Sequence, residues 1–232
     1  MLLLRGYKAK TAVKAVKNAL NPELGGFKAV KLRICMGVDR NAEILKEVRD
    51  TFLDIDIMVD ANSAYQSVNE VFKLAKICDK YDVLWLEEPI PTDNLNGLAK
   101  LRAKSPVQIA GGENDMGTFR FEDILSKGSY DIVQPDVTRS GGYLQLKKIV
   151  AMAEVKGVCC IPHVFGFGHI LAANLHYIIA SRCDWCEFPF IPDEYQILEE
   201  PIKCEKGKVK ALDGPSLGVH INKQMFDENV LN

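Results

Sequence analysis

Residues 84–90 read LWLEEPI, a short apolar run of strand type that ends in two glutamates and a proline, Glu87, Glu88 and Pro89. Strands often end in charged residues where they meet solvent, so a single stretch of this kind says little. This one decides the fold because the same pattern recurs along the chain at similar intervals. The recurrence predicts how the strands are arranged, and the role of the two acids depends on that arrangement.

Short β-branched runs alternate with helix-like segments along the chain. The runs are VKLRI at 30–34, IDIMV at 55–59, VLWL at 83–86, VQIA at 107–110, IV at 132–133, VCCIPHV at 158–164 and CDWCEF at 183–188. A strand followed by a helix about every 25 residues implies parallel strands with crossover helices. The sequence therefore predicts an α/β fold, a TIM-type (β/α) barrel of the (β/α)7β kind rather than a doubly wound sheet, with MLLLRG at 1–6 as an incomplete first strand.

Three segments between the runs carry apolar residues at helical spacing, namely residues 41–52, 68–78 and 143–156. Asn41 is a candidate N-cap of the first segment. Ser67 and Glu70 have the spacing of a capping box before the second segment, and Gly157 is placed to end the third.

The composition excludes several classes of protein. The 232 residues are 47% hydrophobic and 26% charged, with a net charge of -2 and a pI near 6.1, which gives no reason to expect a nucleic-acid partner or a membrane surface. No apolar run approaches the roughly 20 residues that span a bilayer. The seven cysteines are odd in number and follow no framework of spacings, which favours reduced thiols and a cytoplasmic location.

Polar residues stand at the carboxyl ends of the runs, one strand–helix unit apart. In chain order they are Lys31 and Arg33, Asp60 with Asn62, Glu87 with Glu88, Glu113, Asp136, His163 and Glu187. In a parallel barrel these ends meet at one face, where the active sites of such barrels form. A polar residue that merely marks where a strand meets solvent would account for one such position. It accounts poorly for polar residues at the same height in seven units.

Three successive strands each contribute a carboxylate, from Asp60, Glu87 and Glu113. Like charges converging on one mouth repel one another unless a cation offsets them. Carboxylate oxygens with waters are the ligands that Mg²⁺ takes, so the sequence predicts one Mg²⁺ per chain. Glu88 follows Glu87 directly, so its side chain should point to the opposite face of the strand. It is therefore predicted to contact a metal ligand or a neighbouring base rather than the metal.

Basic groups flank the predicted metal on both sides. Lys31 and Arg33 point to one face of their strand, and His163 follows Asp136 by one strand–helix unit. A carboxylate beside an imidazole fixes its tautomer and raises its basicity, as a general base needs. Such a site suits removal of a proton next to a metal-bound carboxylate, which predicts a small-molecule carboxylate substrate.

Seven stretches together resemble the enolase superfamily, and within it the mandelate racemase subgroup. They are GFKAVKLRI, IMVDANSAY, WLEEPI, GGEN, DIVQPDVTRSGG, IPHVFG and DGPSLGV, and the resemblance covers about residues 8 to 222. It implies a modified TIM barrel. The site roles that it implies are Mg²⁺ ligation by Asp60, Glu87 and Glu113, a catalytic dyad of His163 with Asp136, proximity of Lys31 to the substrate carboxylate, and hydrogen bonding or protonation of the substrate by Glu187. Asn62, Glu88 and Arg139 are candidate substrate-binding or supporting residues.

The chain departs from the subgroup pattern in three ways. Arg33 replaces the second lysine of the usual pair, and because arginine stays protonated it is a poor base. Ser216 stands where the late motif usually has glycine. The N-terminal α+β capping domain is expected to be absent, with residues 1–222 forming the barrel and residues 223–232 a tail. An uncapped mouth would stay open to water, so the chain alone is expected to be nearly inactive.

Because Arg33 is a poor base, the His163–Asp136 dyad is the one expected base, which favours elimination over two-base racemisation. The leading hypothesis is therefore a lyase, a Mg²⁺-dependent dehydratase of a sugar acid or related hydroxy acid. A racemase, epimerase or cycloisomerase of the same superfamily is an alternative. From other classes, an inactive barrel that binds metal or a partner and an unrelated metal-hydrolase barrel remain open. Association into a homo-oligomer is a further expectation, because an uncapped barrel exposes apolar surface.

Overall fold

The computed structural model of the chain describes residues 2–5, 8–166, 168–189 and 196–229. Within these ranges seven parallel strands pair in chain order, and each is followed by a helix, which confirms the predicted α/β barrel of TIM type. The strands are β1 (Leu2–Arg5), β2 (Ala29–Arg33), β3 (Asp56–Asp60), β4 (Val83–Glu87), β5 (Gln108–Gly111), β6 (Ile132–Val133) and β7 (Cys159–Cys160). The helices are α1 (Ala9–Leu20), α2 (Val38–Thr51), α3 (Val68–Lys80), α4 (Leu95–Arg102), α5 (Gly117–Lys127), α6 (Tyr143–Val155) and α7 (Gly168–Ala180).

A short C-terminal region follows the barrel. It contains an antiparallel hairpin of β8 (Cys204–Glu205) and β9 (Lys208–Val209), and a final helix, α8 (Lys223–Asn229). A bridge between Leu198 and Ile221 joins the residues before β8 to those before α8. Among the helices of the described ranges, none has the length and apolar character needed to cross a membrane.

The strand register explains why the polar strand ends meet. Arg33 at the end of β2 pairs with Asp60 at the end of β3, and Asp60 pairs in turn with Glu87 at the end of β4. Parallel strands that end level with one another place their last side chains at one height. The predicted row of functional groups is therefore a direct product of the register.

An apolar layer fills the barrel below that row. Each of the strand runs from β2 to β7 contributes one buried side chain to it, and the layer consists of Ala29, Met58, Trp85, Ala110, Ile132 and Ile161. Residues two apart on a strand share a face. Four of the site positions lie two residues beyond a member of this layer: Lys31, Asp60, Glu87 and His163. The packed layer thus forms the floor on which the polar groups stand.

Two local predictions fail. Asn41 does not cap α2, which begins after Gly37; it is a fully buried member of the helix, and its amide contacts the hydroxyl of Tyr65. Ser67 does precede α3, but its side chain makes no capping hydrogen bond, so the predicted box with Glu70 does not form. Gly157 ends α6 as predicted, with a positive φ of 66° and its N–H bonded to Glu154.

The predicted eighth strand at residues 183–188 forms no regular ladder in the described part of the chain. Side-chain packing holds the segment instead. Trp185 packs edge-on against Trp85 with ring centroids 5.7 Å apart, and Phe188 packs on Phe27 at 5.5 Å. Pro189 follows at once and has no N–H to donate, which shortens any ladder there.

One arginine ties together the loops at the amino ends of β3 and β4. The guanidinium of Arg49 on α2 donates to five main-chain carbonyls, those of Phe52, Leu53, Ile55, Tyr81 and Asp82, at 2.9–3.3 Å. These carbonyls belong to the turns that lead into the two strands carrying Asp60 and Glu87. The position of two site carboxylates therefore depends on this cluster of hydrogen bonds.

We expect Arg49→Met to lower the free energy of unfolding by about 2 kcal/mol, because several partly buried carbonyls lose their donor. Arg49→Lys should restore only part of the loss, since an ammonium has three N–H donors and cannot serve all five oxygens. Urea unfolding measures both. Lys46→Met is the matched control on the same helix, because the Lys46–Asp50 pair is exposed and its loss should leave stability almost unchanged. Equal losses in Arg49→Met and Lys46→Met would contradict the role assigned to Arg49.

Candidate metal and catalytic site

The three carboxylates predicted as metal ligands converge. Asp60, Glu87 and Glu113 each offer an oxygen atom, and these atoms lie within 4.8 Å of one another. Asp60 and Glu87 are buried and Glu113 is 14% exposed, so the cluster opens to solvent on the Glu113 side. Three converging carboxylates form the hard, oxygen-only donor set that suits Mg²⁺, so the residues present fit this ion.

The electrostatics of the cluster also favour a cation. Burial, and then the charge of Glu87, raise the pKa of Asp60 to about 7. Burial likewise raises the pKa of Glu113, although His163 opposes the shift. Asp60 and Glu113 therefore resist ionisation, and a bound divalent ion would reverse that resistance.

Glu87 accepts four hydrogen bonds from three buried side chains. Its Oε1 accepts from the Lys31 ammonium at 2.7 Å, and its Oε2 accepts from Lys31 at 2.9 Å, from the Gln134 amide at 2.9 Å and from the Trp85 indole at 3.3 Å. Burial would raise the pKa of Glu87, but the Lys31 charge and these hydrogen bonds hold it below its ordinary value. Glu87 is thus held as a carboxylate whose Oε1 has fewer donors than Oε2.

Lys31 is a fully buried cation at the centre of the barrel. Its Nζ lies 2.8 Å from Oε1 of Glu187, a contact without hydrogen-bond geometry, in addition to its bonds with Glu87. Burial opposes its charge, but Glu187 and Glu87 hold the pKa of Lys31 above its ordinary value. Arg33 forms a second ion pair, with its Nη2 3.1 Å from Oδ2 of Asp60. Both basic residues of β2 therefore pair with acids of the site.

His163 and Asp136 form the predicted pair. Nδ1 of His163 lies 3.0 Å from Oδ2 of Asp136, and Nε2 lies 3.2 Å from Oε2 of Glu113. Burial would raise the pKa of Asp136, but hydrogen bonds from His163, Asn174 and Thr138 lower it. Since an ionised carboxylate only accepts, Nδ1 carries the proton and Nε2 faces the carboxylate cluster. Burial lowers the pKa of His163, but the hydrogen bond to Asp136 and the charges of Glu187 and Glu113 together raise it above its ordinary value.

The three predicted supporting residues lie in different settings. Glu88 is buried with a φ of 38°, and its Oε1 accepts from the Gly112 amide at 3.4 Å. The side chain of Asn62 is exposed, and only its main-chain N–H reaches the site, at 2.8 Å from Oδ1 of Asp60. Arg139 contacts the side chain of Asn114 at the rim, and so lies outside the buried cluster.

Glu187 lies in the buried site, although residues 183–188 form no regular ladder within the described part of the chain. It is 1% exposed, and its Oε2 accepts from the main-chain N–H of Val164 at 3.3 Å. Its contact with Lys31 links it to Glu87 and so to the acidic cluster.

Sequence reasoning missed three polar residues that hold the site. Trp85 and Gln134 donate to Glu87, and Asn174 donates to Asp136 at 3.0 Å. Trp85 precedes Glu87 by two residues and Gln134 precedes Asp136 by two, so strand parity alone could have placed both on the site face. Asn174 is a polar residue inside the apolar stretch ILAANLHYIIA, which was the only signal for it.

The fold and the site together define a (β/α) barrel with an acidic metal-binding cluster beside a histidine–aspartate pair. The family described as "Enolase C-terminal domain-like" matches residues 11–225. The chain belongs to this family, and hence to the enolase superfamily with its mandelate racemase subgroup. The resemblance seen in the sequence motifs is therefore confirmed.

Relatives extend the comparison. The chain is 34% identical over 215 residues to D-galactarolactone cycloisomerase of Agrobacterium fabrum, covering 88% of this chain and 57% of the relative. It is 34% identical over 207 residues to arabinonate dehydratase of Saccharolobus solfataricus, covering 88% of this chain and 55% of the relative. The crystal structure of 3,6-anhydro-D-galactonate cycloisomerase from Zobellia galactanivorans superposes with a TM-score of 0.87 at 25% identity, over 98% of this chain and 64% of that one. The chain thus spans little more than half the length of the curated relatives.

The setting of Glu88 predicts a pH-dependent stability. Burial, and then the charges of Glu113 and Glu87, raise its pKa from 4.5 to about 8. Below pH 4.5 the group is protonated in both the folded and the unfolded chain, so its contribution to stability is fully present. Between pH 4.5 and about 8 only the folded chain keeps the proton, so that contribution is lost as the pH rises.

We therefore expect Glu88→Gln, in EDTA, to be more stable than the wild type by on the order of 2 kcal/mol at about pH 8.5, and by much less at about pH 4.5. Urea unfolding at both pH values measures the difference. Glu122→Gln, at an exposed glutamate of α5, is the control and should show no such trend. A pH-independent difference for Glu88→Gln would contradict the assignment.

Proposed function

We propose that the chain is the barrel of a Mg²⁺-dependent dehydratase acting on a sugar acid or related hydroxy acid. The observation that carries the proposal is the placement of His163, whose Nε2 lies 3.2 Å from the metal-ligand candidate Glu113. A substrate carboxylate bound at the cluster would therefore bring its α-carbon next to a general base. The names of the relatives, a dehydratase and two cycloisomerases of sugar acids or their lactones, support this class of substrate.

The residues would divide the reaction as follows. Mg²⁺ held by Asp60, Glu87 and Glu113 would supply positive charge against the negative charge that develops on the substrate carboxylate. Nε2 of His163 takes the α-proton, and the electron pair of the broken C–H bond moves toward the carboxylate. The same pair then forms the carbon–carbon double bond as the β-hydroxyl leaves. His163, now protonated, can return its proton to that hydroxyl, so that water departs and charge balances.

The two basic residues of β2, Lys31 and Arg33, favour elimination over racemisation as the reaction. A racemase needs a second base that removes the proton from the other face. Lys31 is held in its charged form by Glu187 and Glu87, and Arg33 is paired with Asp60. Neither is suited to accept a proton, whereas both suit binding of an anionic substrate.

A cycloisomerase is the second candidate, because two of the relatives carry that name and the reaction also needs only one base. Mass spectrometry of the product separates the two: dehydration removes one water, and isomerisation leaves the mass unchanged. An inactive metal-binding barrel predicts neither product. Cytoplasmic location, association into a homo-oligomer and the absence of a nucleic-acid or membrane partner stay predictions.

We expect Mg²⁺ to raise the melting temperature of the chain, because an ion bound only to the folded state adds about 2.7 kcal/mol of stability at one hundred times its Kd. Glu87→Gln should remove most of this rise, since one of the three ligands loses its charge. Glu122→Gln, a charge-matched change on the surface, should keep the full response. An unaltered Mg²⁺ response in Glu87→Gln would refute the ligand assignment.

We expect His163→Asn to abolish exchange of the substrate α-proton with solvent deuterium, a loss of at least ~100-fold, since general-base catalysis contributes that much or more. A panel of sugar acids with Mg²⁺, followed by NMR, measures the exchange in the chain alone and in a form extended upstream by an α+β domain. Arg33→Met is the comparison, and its exchange should persist. Exchange that survives His163→Asn but stops in Arg33→Met would reverse the roles of the two residues.

A further inference from the structure

Helix α7 carries one fully buried amide in an otherwise apolar stretch. Asn174 is 0% exposed, and its neighbours Ala172, Ala173 and Leu175 are buried apolar residues. Placing an amide there costs free energy unless each of its polar atoms finds a partner. An alanine or leucine would satisfy the packing of such a helix without that cost.

Every hydrogen-bonding group of the Asn174 amide is used. Nδ2 donates to Oδ1 of Asp136 at 3.0 Å and to the carbonyl of Ile170 at 3.1 Å, and Oδ1 accepts from the main-chain N–H of Val137 at 2.9 Å. The side chain therefore clamps both the carboxylate of Asp136 and the main chain that follows it. Two of these three bonds converge on residues 136 and 137.

The clamp fixes the orientation of the Asp136 carboxylate. Its Oδ1 accepts from Asn174, from the N–H of Thr138 at 2.8 Å and from the hydroxyl of Thr138 at 2.7 Å. Its Oδ2 is left for Nδ1 of His163 at 3.0 Å. Rotation of the carboxylate would break these bonds together, so His163 meets one oxygen in one direction.

We propose that Asn174 is a positioning residue for His163. It holds Asp136 so that the imidazole keeps its proton on Nδ1 and presents Nε2 to the carboxylate cluster. The amide suits the position because it combines a donor for Asp136 with an acceptor for Val137 in one plane. An aspartate would keep the acceptor but set one carboxylate oxygen against another, and a leucine would keep the volume but lose both.

Nuclear magnetic resonance of ¹⁵N-histidine-labelled chain tests the orientation without any substrate. His163 is assigned by the loss of its signals in His163→Asn. In the neutral imidazole of the wild type we expect the Nδ1–H tautomer, with a proton that exchanges slowly with water. In Asn174→Leu and in Asn174→Asp we expect a mixture of tautomers and exchange of that proton at least ~10-fold faster.

Ser140→Ala is the matched control. The buried Ser140 hydroxyl donates to the main-chain carbonyl of Asp136 at 2.7 Å and leaves the carboxylate untouched. Its removal should lower stability and leave the His163 signals unchanged. Asn174→Leu keeps the test decisive if the buried charge of Asn174→Asp prevents folding. A folded Asn174→Leu with the wild-type tautomer and exchange rate would overturn the proposal.

A second measurement rests on the proposed function. With a sugar acid that the wild type turns over, Asn174→Leu should lower kcat by ~10–100-fold and leave KM within about twofold, because the general base and not substrate binding is disturbed. A rise in KM with kcat unchanged would count against positioning. If no sugar acid is turned over by the wild type in the form extended upstream by an α+β domain, the proposed function fails, and the tautomer measurement still decides the role of Asn174.

Discussion

The ion pair between Lys31 and Glu87 is the contact on which the rest of the site depends. One buried ammonium serves two buried carboxylates, those of Glu87 and Glu187, and so ties β2 to β4 and to the segment that follows α7. Removing one partner of a buried ion pair typically costs about 3–5 kcal/mol, because the other charge is left without compensation. Lys31 is therefore a structural element of the barrel as much as a functional group, and its charge sets the field in which any substrate anion would bind.

The barrel supports this charged centre with an apolar floor. The layer from Ala29 to Ile161 fills the interior, and the polar groups begin two residues further along the strands. Water is excluded from below, so hydrogen bonds such as those to Glu87 act in a low-dielectric environment where they are strong when complete. The same exclusion explains the raised pKa of Asp60 and Glu88, which have fewer compensating partners.

The sequence predicted the parts of the site that depend on local pattern. Asp60, Glu87, Asp136 and His163 each follow a recognisable strand, and the strand register then brings them together. Gln134 and Asn174 act on residues 47 and 38 positions away, and no local pattern encodes such a partner. A local pattern can also mislead, as Asn41 shows. Its position before a helical stretch predicted an N-cap, but it lies within the helix, where its amide contacts Tyr65.

The chain has two tryptophans, and both belong to the site region. The indole of Trp85 donates to the metal-ligand candidate Glu87, and its ring meets Trp185, two residues before Glu187. Since no indole elsewhere in the sequence contributes background, the tryptophan fluorescence of the protein, excited where tyrosine does not absorb, originates entirely in this region. A change in the charge or hydrogen bonding of Glu87 would alter the surroundings of an emitting ring directly. The barrel therefore carries its own optical reporter, which can follow events at the acidic cluster without any added label.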